Sequence, residues 1–516
     1  MSGAELNRRA LLWSAAAAAC VPAASLARQA APVTAAPAGV FEGTRDGDVH
    51  AYRGIRYGRA ERFRAPVAVA RPGERVRARE FGPVCPQRGA RYLPQSEDCL
   101  FLNIWAPADA AAAPRPVLVY FHGGAYSTGS VTDPLNDGAV LARETGAVVV
   151  TVNHRLNAFG YLYLARLDPR FRDSGNAGQL DLILALKWIR DNIAAFGGDP
   201  ACVTPFGQSG GGAKIATLMG MPAARGLFHR AMTMSGQQVT ASGPLNATER
   251  TRAYLARLGV AEGDFDALLA APSEALVEAL DAVDPILGGG VYFGPVLDMQ
   301  WLVRHPFWPD AHPQSNHIPM ILGNTHDETR AFIGPDSAVM QGLDWGNIAE
   351  RLGPQLRVDI LPEWVVAQYR QRFPQDGPRE LFWRATTAAR SWRGQVEEAD
   401  ARARAGAEAT WVYQLDFPSQ TEPERGAFHT HDIPLVFGTL GAEGSQTGTG
   451  AAARRVSREM MTAFAQFART GRAPWRRYTL PDRPTMIFDT RSRVEQDPRQ
   501  WERELFARVP YVQPGT

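Results

Sequence analysis

The stretch PFGQSGGGAK, residues 205–214, constrains the fold of this chain more than any other feature. It places Ser209 in the pattern Gly-x-Ser-x-Gly, directly after the apolar run 203–206 and before GGAKIATLMG, a run typical of a helix. At such a strand-to-helix turn a strained backbone presents the serine hydroxyl at the top of a sheet, and Gly207 and Gly211 leave room for the turn. The pattern predicts a nucleophile elbow within an α/β fold.

A phosphate-binding loop and an ordinary glycine turn are the alternatives for this stretch. The phosphate-binding pattern G-x-x-x-x-G-K-[ST] is not met, because Lys214 follows an alanine and precedes Ile215. A single Gly-x-Ser-x-Gly is only moderately specific. A nucleophilic serine also needs an oxyanion hole, a general base and an acid that orients the base.

Short apolar runs alternate with helical patterns along the chain. A helix is indicated where Leu182, Leu186, Ile189 and Ile193 follow one another at spacings of four and three, with glycines at 197 and 198 as its stop. Strand, helix and strand in this order favour a mostly parallel sheet with helices on both faces. The runs of the kind buried in a parallel sheet are 116–121, 147–152, 203–206, 231–235, 319–323 and 410–417.

Composition narrows the class of function. The chain has 516 residues, 45% of them hydrophobic, and a formal net charge of +2 from 55 basic and 53 acidic residues. Such a balance leaves no basic surplus to neutralise a phosphate backbone, so nucleic acid is not an expected partner. Lysine occurs only at Lys187 and Lys214. No composition shift divides the middle of the chain, which favours one large domain.

The N-terminal residues have the pattern of an export signal. Arg8 and Arg9 precede an apolar run over 10–21 and a small-x-small site at 25–27. We expect a twin-arginine signal peptide over 1–27, a single α/β domain over 28–516, and a periplasmic or extracellular location. A membrane anchor needs about 20 apolar residues, more than this run has, and Cys20 leaves a lipoprotein as an alternative. No later segment is expected to span a bilayer.

Partners for the serine follow other predicted strands. FHGGAYSTG, from Phe121, is similar to the HGGG-type loops whose backbone N–H groups face a substrate carbonyl. An acid is offered by Asp327 or Glu328 and a base by His429 or His431, in the chain order nucleophile, acid, base. All of them come at carboxyl ends of strands, where open α/β sheets place their sites. Spacing alone does not choose within either pair.

Several motifs together resemble the type-B carboxylesterases, a family that includes bacterial para-nitrobenzyl esterases, animal carboxylesterases and cholinesterases. They are SEDCLFLNIW from residue 96, FGGDPACVTPFGQSGGG from 196 and HGGAY from 122. The likeness runs from YRGIRYG at 52 through NHRLNAFGYL at 153 to MTAFAQFARTGRAPW at 461. The resemblance implies an α/β-hydrolase fold with Ser209 as nucleophile, Glu328 as acid and His429 as base.

The same resemblance implies further roles. The oxyanion donors become the backbone N–H groups of Gly124, Ala125 and Gly210, and Cys85 and Cys99 match the family's first disulfide. Ser235 matches a serine that supports the acid, with a plain buried hydroxyl as the alternative. Glu97 and Arg155 match a structural ion pair.

Two residues of this chain depart from the family pattern, and two regions bear on its substrate. Gly210 replaces the usual alanine after the nucleophile, and Ala125 replaces a third glycine in the loop. The regions 288–308 and 381–395 are expected to form pocket walls, with Trp383, Trp392 and Arg384 as candidates for substrate contact or for packing.

The function expected from these motifs is hydrolysis of small-molecule carboxylic esters through an acyl-enzyme on Ser209. The chemistry needs no metal or organic cofactor, and the histidines form no HExxH pattern. An amidase or acylase with the same machinery, and a non-catalytic binding protein of this fold, are the alternatives. Choline esters are disfavoured, because the loop between the two cysteines has no tryptophan for a quaternary ammonium and only Tyr92.

Overall fold

An eleven-stranded sheet lies at the centre of the structure, a computed structural model that describes residues 31–513 and 515. Its strand order is β16-β15-β14-β13-β12-β11-β9-β10-β8-β4-β3, and two small sheets, β1-β2-β7 and β5-β6, lie outside it. In chain order the strands are β1 Val33–Ala36, β2 Gly39–Glu42, β3 Thr44–Asp46, β4 Val49–Arg56, β5 Gly58–Arg59, β6 Val67–Ala68, β7 Arg75–Arg77, β8 Phe101–Pro107, β9 Arg115–Phe121, β10 Val148–Val152, β11 Gly198–Gln208, β12 Ala231–Met234, β13 Met320–Thr325, β14 Thr410–Leu415, β15 Pro484–Phe488 and β16 Arg493–Gln496.

The middle of the sheet is parallel. Strands β10, β9, β11, β12, β13, β14 and β15 pair in parallel with their neighbours. The six apolar runs predicted from the sequence coincide with six of these strands, because a strand covered on both faces needs a continuous apolar sequence. Strands at the two sides pair antiparallel: β3, β4 and β8 on one side and β16 on the other.

Helices cover both faces of the sheet in the described part of the chain. They are α1 Ala139–Thr145, α2 Asn157–Tyr161, α3 Ala177–Asn192, α4 Gly210–Met219, α5 Pro244–Leu258, α6 Phe265–Ala270, α7 Ser273–Glu278, α8 Ile348–Leu356, α9 Pro362–Arg372, α10 Pro378–Thr386, α11 Arg393–Arg404, α12 Asp432–Phe437, α13 Ala451–Thr470 and α14 Gln500–Phe506. The helix predicted from the apolar spacing at 182–196 is α3 with a short 3-10 turn, Ile193–Phe196, after it, and it stops at Gly197, whose φ is 81°.

Strand β9 shows how the core is divided. Val117, Val119 and Phe121 point to one face and pack in the same hydrophobic cluster as α3 and α4, whereas Leu118 and Tyr120 point to the other face and pack with α1, α12 and α13. Successive side chains of a strand alternate between the two faces of a sheet. The sheet therefore has a hydrophobic core on each side, as the predicted fold class requires.

A third hydrophobic cluster is built by helices alone. It joins α8, α9, α10 and α14 with a π-helical segment, Thr387–Trp392, that continues α10. Trp383 and Trp392 are buried in this cluster.

The structural ion pair expected between Glu97 and Arg155 is not formed. Arg155 donates instead to Asp181 at 2.7 Å, with both side chains buried, and Glu97 accepts from Arg62. The expectation was wrong because each partner has a nearer ion of opposite charge, and Arg62 and Asp181 were not considered from the sequence.

The predicted signal peptide, residues 1–27, lies outside the residues that the structure describes, and so does Cys20. The export signal and the cleavage site stay predictions. From Pro32 onward the chain forms one compact unit. Among the described helices, none has both the length and the apolar content required to cross a bilayer.

Candidate active site

The loop between β11 and α4 forms the elbow that the Gly-x-Ser-x-Gly pattern predicts. Ser209 has φ 56° and ψ −127°, a backbone conformation that costs a residue with a side chain about 1–3 kcal/mol. Its backbone N–H donates to the Met234 carbonyl at 2.7 Å. A Cβ at Gly211 would collide with the Phe121 carbonyl, so only glycine fits the turn at that position. The structure therefore places the Ser209 hydroxyl at the carboxyl edge of the sheet.

Glu328 and His429 form a buried hydrogen-bonded pair beside the elbow. The glutamate Oε2 accepts from His429 Nδ1, and its Oε1 accepts from the Thr325 backbone N–H at 2.8 Å and from Asn324 Nδ2 at 3.1 Å. Burial opposes ionisation of Glu328, but the charge and hydrogen bond of His429 outweigh it and hold the glutamate pKa below its usual value. Glu328 is therefore an ionised acceptor that orients the imidazole.

The other nitrogen of His429 is held by the residue before the nucleophile. Gln208 Nε2 lies 3.1 Å from His429 Nε2, and the amide is placed to donate to this nitrogen when the imidazole carries its proton on Nδ1. The Ser209 hydroxyl faces the cavity and makes no hydrogen bond to another described residue. Catalytic hydrogen bonds tighten in many enzymes only when substrate binds.

Ser235 lies next to this pair. Its proximity contributes to the lowered pKa of Glu328, although its hydroxyl has no hydrogen bond of ordinary geometry with the described residues. Ser235 is therefore adjacent to the acid, and its supporting role stays a prediction.

The structure distinguishes between the two candidate acids and between the two candidate bases that spacing left open. Asp327 accepts from the Ala427 backbone N–H at 3.0 Å and pairs with Arg330 at 3.2 Å, so it links two loops. His431 stacks on Phe417 with ring centroids 6.3 Å apart, and burial lowers its pKa to about 4. Glu328 and His429 are the members that meet.

The loop after β9 packs directly against the elbow. Its residues Gly124 and Ala125 have φ 89° and 58°, and their N–H groups, like that of Gly210, donate to no other described residue. A Cβ added at Gly210 would lie 2.8 Å from the Ala125 backbone nitrogen, which shows how closely these segments approach. Gly210 also begins α4, where the helix dipole favours negative charge. Three free N–H groups thus lie where an oxyanion could bind.

We expect Gly210→Ala to lower kcat for ester hydrolysis by about 10- to 1000-fold. The new methyl group would displace the loop that carries two of the three N–H groups; complete loss of one such donor costs about 3–4 kcal/mol of transition-state stabilisation, the upper part of this range, and partial displacement costs less. The control is Gly243→Ala, because Gly243 has φ −65° and open space around its Cβ position. A wild-type value of kcat in Gly210→Ala, measured with a p-nitrophenyl ester, would show that the loop after β9 accommodates the methyl group without loss of activity.

A cavity of about 820 Å³ opens above Ser209 and His429. This volume suits a small-molecule ligand. One wall contains Tyr126, Tyr292 and the glycine-rich segment 288–290, and another contains Arg390 and Ser391. The two regions expected to form walls therefore contribute to the cavity.

Of the two alternatives for Trp383, Trp392 and Arg384, the structure shows packing, and none of the three lines the cavity. Trp383 and Trp392 are buried in the helical cluster, and Arg384 pairs with Asp376 at 2.7 Å. The side chains from this stretch that reach the cavity are Arg390 and Ser391, because the π-helical segment turns them toward it.

Lys214 is a feature of the site that sequence reasoning missed. Its side chain is fully buried, its Nζ donates to the His122 carbonyl at 3.2 Å, and it lies 5.3 Å from the centre of the Tyr126 ring. No carboxylate pairs with it among the described residues. Burial lowers its pKa to about 7. The sequence signal was available, since Lys214 is one of only two lysines and lies five residues after the serine.

Cys85 and Cys99 are free thiols in the structure. Both are buried, and a hydrogen bond with Cys85 together with burial raises the pKa of Cys99. The predicted disulfide is not formed here, but the two side chains are neighbours, and the bond stays a prediction for an oxidising compartment.

The described residues include no group of three or more histidine, cysteine or carboxylate side chains that could hold a metal ion.

A mostly parallel sheet that carries a serine elbow, an acid and a histidine at the carboxyl ends of its strands defines an α/β-hydrolase. The particular family follows from comparison with known proteins. The chain matches the model of the Carboxylesterase family over residues 30–505 and belongs to that family. It is a carboxylic ester hydrolase.

Three similar proteins support this assignment. Para-nitrobenzyl esterase of Bacillus subtilis is 34% identical over 90% of this chain and 96% of its own length. A probable N-octanoylanthranilate hydrolase of Rhodococcus erythropolis is 34% identical over 78% of this chain and 84% of its own. The crystal structure of a Geobacillus stearothermophilus carboxylesterase matches with a TM-score of 0.82 and 33% identity, covering 92% of this chain and 99% of that one.

Proposed function

We propose that the protein hydrolyses small carboxylic esters through a covalent acyl-enzyme on Ser209, with Glu328 and His429 completing a catalytic triad. The observation that carries the proposal is the buried Glu328–His429 pair, whose imidazole faces the same cavity as the Ser209 hydroxyl. A histidine oriented in this way by a carboxylate is the general base that a serine nucleophile needs.

Acylation begins when His429 Nε2 accepts the proton of the Ser209 hydroxyl and Oγ attacks the ester carbonyl carbon. The carbonyl oxygen becomes an oxyanion and accepts hydrogen bonds from the N–H groups of Gly124, Ala125 and Gly210. Glu328 stabilises the imidazolium. The imidazolium then donates its proton to the alkoxy oxygen as the carbon–oxygen bond breaks, and the alcohol leaves.

Deacylation repeats these steps with water. His429 accepts a proton from water, the hydroxide attacks the acyl carbonyl, and the same three N–H groups bind the second oxyanion. When the bond to Ser209 breaks, the proton returns to its Oγ and the carboxylic acid is released.

A p-nitrophenyl phosphonate tests the nucleophile. We expect release of one p-nitrophenolate per chain and a phosphonyl adduct on the peptide that contains Ser209, found by mass spectrometry, because the reagent traps a serine activated by its base. Ser235 and Ser391 also line the cavity and are internal controls. An adduct on either of them, or no adduct on native protein, would refute the assignment.

Amide hydrolysis is the second candidate, favoured by the relative named as a probable N-octanoylanthranilate hydrolase. Its machinery would be the same, except that the imidazolium would protonate a leaving amine. The ratio of kcat/KM on p-nitrophenyl hexanoate and on the matched p-nitroanilide separates the two activities.

A further inference from the structure

Two arginines of the active-site cavity have no counter-ion. The half-buried Arg390 and the exposed Arg357 both line the cavity, and neither guanidinium forms an ion pair or a hydrogen bond with another described residue. Other arginines in the surrounding helices are paired: Arg330 with Glu380, Arg384 with Asp376 and Arg393 with Glu397. Arg370 and Arg372 of α9 also lack a counter-ion in the described part of the chain, but neither of them lines the cavity.

Arg390 lies close to the reacting centre. Its guanidinium is 5.5 Å from the centre of the Phe332 ring, and that ring packs on the His429 imidazole with centroids 4.8 Å apart. Burial and, second, the charge of Arg357 lower the pKa of Arg390 to about 10, so the side chain is still protonated at neutral pH. A fixed positive charge is thus one aromatic ring away from the catalytic histidine.

Irregular backbone presents both arginines. Arg390 belongs to the π-helical segment Thr387–Trp392, and such segments occur often at functional sites. Arg357 follows α8 as its C-cap, with φ 56° and ψ 29°, the left-handed conformation in which many helices end. The π-helical segment thus places Arg390 on the cavity lining, and the C-cap of α8 places Arg357 there.

The cavity contains no free carboxylate among its described lining residues that would neutralise these charges. Asp284 lines it, but accepts from Arg250 at 2.7 Å and from the backbone N–H groups of residues 286, 287 and 292. Glu398, buried behind Gln238, is held neutral at pH 7 because burial raises its pKa to about 8. The two arginines therefore leave the cavity with an uncompensated positive charge.

We infer that this cavity takes esters that carry a carboxylate, which Arg357 and Arg390 bind while the ester carbonyl lies at Ser209. The inference rests on the proposed function and narrows its substrate class. Arginine suits the role, since its planar guanidinium donates two parallel hydrogen bonds to a carboxylate. The charge is expected on either the acyl or the alcohol part of the ester.

Two matched pairs of esters test the inference. The acyl pair is mono-p-nitrophenyl adipate and p-nitrophenyl hexanoate, and the alcohol pair is para-carboxyphenyl hexanoate and para-tolyl hexanoate; each pair exchanges a carboxylate for a methyl group. We expect Arg390→Gln and the double variant Arg357→Gln/Arg390→Gln to lower the anionic-to-neutral ratio of kcat/KM by about 10- to 100-fold in one pair, the range for a charged hydrogen bond. The pair that responds tells which part carries the charge.

Arg458→Gln is the matched control, because Arg458 is exposed on α13 and its replacement changes net charge equally. We expect the wild-type ratio in this variant. An unchanged ratio in the double variant for both pairs would overturn the inference. If the arginine variants do not fold, inhibition of the wild-type protein tests the inference: hexanoate should inhibit hydrolysis of p-nitrophenyl hexanoate more strongly than the uncharged hexanamide does, and equal inhibition would overturn the inference.

Failure of the proposed mechanism gives a different result. The neutral esters do not depend on the arginines as ion-pair partners, so their hydrolysis by a Ser209→Ala variant would contradict the triad whatever the ratios show. Hydrolysis of neutral esters with no response of the ratios would instead leave the triad intact and exclude the carboxylate-binding role.

Discussion

Ser209→Ala is expected to lower kcat for p-nitrophenyl hexanoate by about a million-fold, the largest effect of any single substitution in this chain. Alanine removes the atom that forms the acyl-enzyme, and what is left is the rate that the oxyanion hole and binding give to water. The fold should be unaffected, because the Ser209 hydroxyl makes no hydrogen bond with the described residues. Steady-state rates and a thermal midpoint measured on the same preparation check both statements.

Two further measurements make this prediction specific. His429→Ala, alone and combined with Ser209→Ala, should reach nearly the same residual rate as Ser209→Ala, because residues that act as a unit give strongly non-additive effects. Ser445→Ala, a serine outside the cavity lining, should keep wild-type turnover. A Ser209→Ala rate within a hundredfold of wild type, or additive losses in the double variant, would contradict the mechanism.

The sequence was sufficient for the elbow and the parallel strands because both depend on short-range patterns. A continuous apolar run predicts a strand buried on both faces, and a serine between two glycines after such a run predicts the turn. The choice of Glu328 over Asp327 and of His429 over His431 came from resemblance to a family. Neighbours in sequence differ there only in which way the loop turns each side chain, and spacing does not carry that information.

For the cavity walls, the sequence predicted which segments of the chain line the cavity but not which of their side chains do so. Helical spacing through residues 381–395 assumes one residue every 100°, but the π-helical segment Thr387–Trp392 adds residues to the turn and rotates the side chains after it. Arg390, inside the segment, reaches the cavity for this reason, whereas Trp383 lies before the segment on α10 and packs in the helical cluster. The ion-pair partners of Glu97 and Arg155 were not predicted from the sequence for another reason. Ion pairs join residues far apart in the chain, and each charge had several possible partners.

Lys214→Met is expected to stabilise the protein at pH 6 and to lose that advantage as the pH rises to about 10. In the unfolded chain the lysine titrates near 10.5, whereas burial lowers its pKa to about 7 in the folded state. Between these values the unfolded state binds one more proton than the folded state, so the stability of wild-type protein rises with pH. The full change corresponds to about 5 kcal/mol.

The titratable groups next to Lys214 do not change their protonation state between pH 6 and 10. His122 and His154 lie beside Lys214, and burial lowers the pKa of both, that of His122 to about 3, so both are neutral from pH 6 upward. Burial raises the pKa of Tyr126 well above its usual value, so the tyrosine also keeps its proton across this interval. The difference in stability between Lys214→Met and wild type therefore reports the lysine alone.

Guanidinium unfolding of wild type, Lys214→Met and Lys187→Met at pH 6, 8 and 10 measures this difference. Lys187 is exposed on α3, and its variant should stay within about 0.5 kcal/mol of wild type at every pH. At pH 10 the wild-type amine is mostly uncharged, and the hydrogen bond that its Nζ donates to the His122 carbonyl then favours wild type by about 1 kcal/mol. A difference between Lys214→Met and wild type that does not change with pH would mean that Lys214 keeps an ordinary pKa, and that a counter-charge reaches it in solution.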